Sequence, residues 1–62
     1  MPNKQNLATQ GEAAEFLGVP ERTLSQWRYL RKGPRWSKIG RYARYRWEDL
    51  HSFVEENTKE AA

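Results

Sequence analysis

The chain has 62 residues, 37% of them apolar, which is enough to bury one small core and too little for a second domain. It contains no cysteine, so disulfides and thiolate metal sites are excluded and stability must come from packing. The formal net charge of +3 is unevenly spread: Arg22 to Trp47 holds nine of the eleven Lys and Arg residues, six of the eight aromatics and none of the eight carboxylates. A cationic run that dense cannot be buried and favours a polyanionic partner, while the interleaved aromatics require that it fold.

No apolar run approaches the roughly 20 residues that cross a bilayer, and the first residues lack a secretory pattern. A soluble intracellular protein without membrane contact is expected. Met1 to Asn6 is polar and unpatterned and reads as a flexible arm. Thr9 is placed to cap a first helix, with Glu12 three residues on to return the bond. Ala13, Ala14, Phe16 and Leu17 supply the packing of this helix, Gly18 stops it in the left-handed conformation, and Gly11 in its first turn weakens it.

Val19-Pro20 makes a corner into a second helix, expected from about Pro20 to about Arg31, with Pro20 in its first turn and Glu21 at the positive end of its dipole. Leu24, Trp27 and Leu30 recur at three-residue spacing and define a core face, whereas Arg22, Gln26 and Tyr29 share another. Two short helices joined by a tight Gly-Val-Pro turn form a helix-turn-helix pattern, in which the second helix is presented to the DNA major groove. Gly33-Pro34 ends the second helix.

Two β-prone runs follow, Trp36 to Ile39 and Ala43 to Arg46, and the tip between them is Gly40, Arg41 and Tyr42. Period two points Ala43 and Tyr45 inward and Arg44 and Arg46 outward. Trp47-Glu48-Asp49 opens a third helix, with both carboxylates at its positive end and an apolar stripe of Leu50, Phe53 and Val54. The fold expected is therefore mainly α with a small β-hairpin: a winged helix-turn-helix of three helices and a two-stranded wing. It spans residues 7–57, with 58–62 a flexible tail.

The order Thr9-x-x-Glu12-Ala13-Ala14, Leu17-Gly18-Val19, Arg22-Thr23-Leu24, Trp27-Arg28, Gly33-Pro34, Lys38-Ile39-Gly40-Arg41, Arg44-Tyr45, Asp49-Leu50 resembles the small winged helix-turn-helix excisionases of temperate phages. That group is similar to the DNA-binding heads of mercury-resistance-type regulators, and the resemblance covers about residues 7 to 54. Two departures are Pro20, where the family usually has a Ser or Thr cap, and Gly11, where it has a better helix former. The resemblance implies that the second helix enters the major groove and the wing lies along the minor groove. It also implies that the protein bends attachment-site DNA so that a phage integrase excises the prophage, in the cytoplasm of a bacterial host. Such factors have no catalysis of their own, and neighbouring copies commonly bind side by side on direct repeats. A monomer off DNA is expected. Short prophage transcriptional regulators use the same head and form the alternative.

Within that frame Arg22 and Gln26 are base-reading candidates, because Arg pairs two bonds with guanine O6 and N7 and Gln does so with adenine N6 and N7. Tyr29 is placed to touch a phosphate or a thymine methyl, and Ser25 and Thr23 to bond phosphates, although Thr23 can also be satisfied inside the turn. At the wing, Gly40 gives the tight turn that pushes Arg41 outward toward a narrow minor groove, with Tyr42 beside it. Arg28, Arg31, Lys32, Arg35, Lys38, Arg44 and Arg46 are phosphate-contact candidates, Arg28 being equally placed to pack internally. Trp27, Trp36, Tyr45 and Trp47 can stack on unpaired bases, but Trp27 and Tyr45 are read as core.

Enzyme chemistry lacks parts: His51 is a lone histidine, and Ser25, Ser37 and Ser52 have no positioned base. No cofactor or metal is expected. Two other classes remain to be weighed. One is a protein adaptor working through the acidic third helix and the tail (Glu55, Glu56, Glu60), and the other is a single-strand or RNA binder.

Overall fold

A computed structural model describes residues 7–59, so the expected arm at residues 1–6 and the last three residues of the tail lie outside the described part. The elements are β1 (Leu7–Ala8), α1 (Gln10–Leu17), α2 (Glu21–Tyr29), β2 (Ser37–Ile39), β3 (Tyr42–Arg46) and α3 (Trp47–Glu56). Three helices and an antiparallel hairpin make a winged helix-turn-helix, as expected. No helix among the described residues is long and apolar enough to cross a membrane.

Helix α1 begins at a complete capping box. The Thr9 hydroxyl accepts from the Glu12 amide at 3.1 Å and the Glu12 carboxylate accepts from the Thr9 amide at 3.0 Å, so two otherwise orphaned donors satisfy each other's side chains. It ends at Gly18, whose φ of 74° lets the Val19 amide reach back to the Ala14 carbonyl at 3.1 Å.

The boundaries of α2 differ from the expected ones at both ends. Pro20 sits before the helix with extended backbone (φ −63°, ψ 148°) and offers no side-chain cap. At the other end Arg31 takes the left-handed position that closes the helix, with φ 61°, and Gly33, with φ 91°, lies two residues beyond it. The Arg31 amide bonds the Arg28 carbonyl at 3.1 Å, and the Lys32 amide bonds the Trp27 carbonyl at 2.8 Å, a Schellman closure without the usual glycine. Because the helix stops at Tyr29, Leu30 leaves the core register and is 55% exposed. The expected Leu24-Trp27-Leu30 core face thus reduces to buried Leu24 and half-buried Trp27.

The sheet has one strand more than expected. Its order is β1-β3-β2, with Leu7 opposite Arg46, Ala8 opposite Tyr45, and Ser37, Lys38 and Ile39 opposite Arg44, Ala43 and Tyr42. A two-residue strand shows no period in a sequence, and only pairing with β3 defines it. The wing tip is also shorter than expected. Tyr42 belongs to β3 and faces Ile39, which leaves Gly40 and Arg41 as the loop. Gly40 carries a φ of 63° and Arg41 no positive φ, the combination of a two-residue type II′ hairpin.

The core is Ala8, Ala13, Ala14, Leu24, Tyr45 and Leu50, with Leu17, Val19, Trp27 and Trp47 packed against it. Small residues on α1 let α2 and β3 approach, and Tyr45, 1% exposed, is the largest buried side chain. Along α3, Leu50 is buried and Phe53 is half-buried against Trp27 at 5.7 Å between centroids. Val54, expected in that stripe, is exposed.

Candidate nucleic-acid interface

The outward side of α2 follows from helical geometry. Arg22, Gln26 and Tyr29 fall four and three residues apart, one above the other, and all three are exposed, Tyr29 to 86%. Ser25 flanks them and is exposed, while Thr23 lies toward the interior and is half-buried. The opposite side carries Leu24 and Trp27 into the core, so packing fixes which residues α2 can offer a ligand.

Ser25 is not a free hydroxyl. It accepts from Gln10 Nε2 at 2.9 Å and from Arg28 Nη2 at 3.4 Å, and the Gln10 amide also donates to the Glu21 carbonyl at 3.0 Å. Gln10 therefore ties the start of α1 to the first turn of α2 and sets the angle of the helix pair.

Arg28 is held on three sides. Its Nη1 donates to the Tyr45 hydroxyl at 2.7 Å, its Nη2 reaches Ser25, and its guanidinium lies 5.3 Å from the Trp36 ring centroid. These contacts join α2 to β3 and to the chain entering β2. Arg31, Lys32 and Arg35 follow, all exposed. Together with Arg28, Gly33, Pro34 and Trp36 they line a cleft of about 400 Å³.

On the wing, Lys38 and Arg41 are exposed, with Arg41 at the tip, while Arg44 is half-buried. The Arg44 guanidinium folds back, donating to the Ala43 carbonyl at 2.9 Å and lying 5.0 Å from the Tyr42 ring centroid. Arg46 is exposed and forms ion pairs within the chain: it ends β3, leads into α3, and pairs with Asp49 at 3.3 Å and Glu48 at 3.8 Å. Both ion pairs among the described residues belong to Arg46, and none of the other candidate cations has a carboxylate partner there.

The structure thus brings Arg22, Gln26, Tyr29 and Ser25 onto one helix face, sets Gly40 and Arg41 at a hairpin tip, and gathers Arg28, Arg31, Lys32 and Arg35 around a cleft. Sequence reasoning missed Gln10, Tyr45 and Trp36 as organisers of these groups. Gln10 had only its place in a first turn to mark it, and the partners of Arg28 lie far away in sequence. Among the described residues no His, Cys, Asp and Glu cluster has the makings of a metal site.

Compared with known proteins, the chain matches no curated protein. The profile described as a helix-turn-helix domain matches residues 9–58, from the cap of α1 to just past the end of α3. The matched span takes in both helices of the turn, the hairpin and α3, and the chain belongs to the helix-turn-helix domain family, a family of DNA-binding modules that includes excisionase-like proteins.

Proposed function

We propose that this protein is a sequence-specific architectural DNA-binding factor that binds and bends attachment-site DNA and so directs integrase-mediated prophage excision. The observation that carries this reading is the pairing of a bare polar helix face, Arg22, Gln26 and Tyr29, with a two-residue hairpin tip bearing Arg41. A helix of that kind fits the major groove, where guanine and adenine edges offer bidentate partners. An extended guanidinium fits a narrow minor groove, where negative potential is concentrated.

Engaging two adjacent grooves from a body this small favours DNA that curves toward it, with the bending cost offset by the added contacts. Few side chains reach bases, so one copy is weakly specific, and specificity comes from neighbouring copies on direct repeats. The protein acts without catalysis of its own and is a monomer off DNA.

The test is a gel-shift series on a duplex carrying a phage attachment arm and on the promoter upstream of the protein's own gene, with phased-bend probes. Stepwise complexes with a phase-dependent mobility on the attachment arm are expected. A single unbent complex confined to the promoter would transfer the protein to the second reading, a small prophage transcriptional regulator. That reading draws on the same match to a helix-turn-helix domain, since a fold does not fix its role.

A further inference from the structure

The cleft beyond the end of α2 gathers four cationic side chains, Arg28, Arg31, Lys32 and Arg35. Arg28, Arg31 and Lys32 line it, and among the described residues none of them has a carboxylate within ion-pair distance. Arg35 lines it too, while also bordering a smaller hollow that contains Asp49 and Glu56. Like charges held side by side repel, and an anion between them relieves the repulsion.

The cleft is also built rather than accidental. Arg28, half-buried, is aimed by the Tyr45 hydroxyl and spread against Trp36. Arg31 adopts a backbone conformation that costs a side-chain-bearing residue energy, and this turns the chain so that Arg31 and Lys32 face the cleft. Gly33 cannot carry a side chain, because a Cβ there would lie 2.7 Å from Trp27 Cε3. Trp36, 42% exposed, closes the wall with an apolar surface.

We propose that this cleft is a seat for one deoxyribose-phosphate unit of the DNA backbone, the phosphate held by Arg28, Arg31 and Lys32 and the sugar against Trp36. The seat rests on the duplex-binding reading and deepens it. It adjoins the α2 face through the Arg28 to Ser25 contact and precedes the wing in the chain. It therefore takes the strand that runs between the groove occupied by α2 and the groove reached by Arg41. A phosphate clamped there fixes the register of both elements at once, a positioning role that carries no sequence information itself. Tyr45 is a positioning residue, since it acts through Arg28.

The experiment uses the full chain and a duplex selected by it from a random library, with each phosphate in turn replaced by an uncharged methylphosphonate. Wild type is compared with Lys32→Gln, Arg31→Gln and Tyr45→Phe, each first checked for its helical spectrum and melting. One phosphate position should cost wild type roughly tenfold or more in affinity. The variants should be less sensitive than wild type at that position and unchanged at the rest. For Lys32→Gln and Arg31→Gln the slope of log affinity against log salt should be shallower than that of wild type by up to about 0.9, one phosphate's worth, with base preference retained, while Tyr45→Phe, which removes no charge, should keep the wild-type slope.

Equal sensitivity of variants and wild type at every position would overturn the seat while leaving duplex binding intact. Failure of wild type to bind any duplex would overturn both proposals. A parallel titration with inorganic phosphate, read at the Trp36 indole proton, separates the remaining source: saturation there with no phosphate-specific coupling to DNA would reassign the cleft to free phosphate.

Discussion

A Cβ built on Gly33 would stand 2.7 Å from Cε3 and 3.1 Å from Cβ of Trp27, on a backbone whose φ is 91°. Both the contact and the backbone exclude a side chain. Gly33→Ala should lose about 2–4 kcal/mol, combining overpacking with a left-handed residue, and thermal unfolding followed by circular dichroism will register it as a large fall in melting temperature. Gly11 is the opposite case. A Cβ there meets Glu21 Oε2 at an ordinary 3.7 Å and no positive φ is required. Gly11→Ala should therefore raise stability by about 0.5–1 kcal/mol, chiefly by restricting the unfolded chain; the same melt measures it, and a lower melting temperature would contradict the assignment. Two glycines that look alike in sequence thus differ because one is pressed against a tryptophan and the other faces a flexible carboxylate.

At the scale of elements, the two parts proposed to touch DNA should fail differently when truncated. Arg22→Ala should relax preference at one base position, by about 1–3 kcal/mol of discrimination, which selection from a randomised duplex library will show as one degenerate column. Arg41→Ala should weaken binding mainly where the minor groove is narrow. Equal losses on A-tract and G·C-rich flanks in a competition assay would remove the tip from the groove.

The elements themselves were largely legible in the sequence, since their signals are local. The Thr9 and Glu12 box, the Gly18 stop and the apolar spacing around Leu24 and Leu50 each declare themselves within a few residues. What was not legible depends on distant partners or on backbone choices the residue type does not announce. Strand β1 exists only through its pairing with Tyr45 and Arg46. The end of α2 was displaced because Arg31, a residue seldom left-handed, took the turn that Gly33 was expected to make. The candidate side chains of α2 could be read from helical spacing, whereas the commitment of Arg46 to α3 and the capture of Arg28 by Tyr45 required the fold.

For the molecule as a whole, the separation of charge is the feature that organises the rest. Arg22 to Trp47 contains no carboxylate, and that stretch supplies the outward side of α2, the cleft and the wing. The carboxylates lie in α1, in α3, at the first residue of α2 and at residue 60. The core has six buried residues, and the Gln10 to Ser25 hydrogen bond links the start of α1 to α2 across the helix pair. In the proposed binding mode α2 and the wing occupy neighbouring grooves of one duplex. Dimethyl sulfate interference tests it most directly, because the reagent methylates guanine N7 in the major groove and adenine N3 in the minor groove. On a duplex selected by the protein, one block of guanine N7 interference with an adjoining block of adenine N3 interference is expected, the latter lost in Arg41→Ala. Interference confined to one groove, or a preference for the unpaired strands of the same sequence, would contradict it.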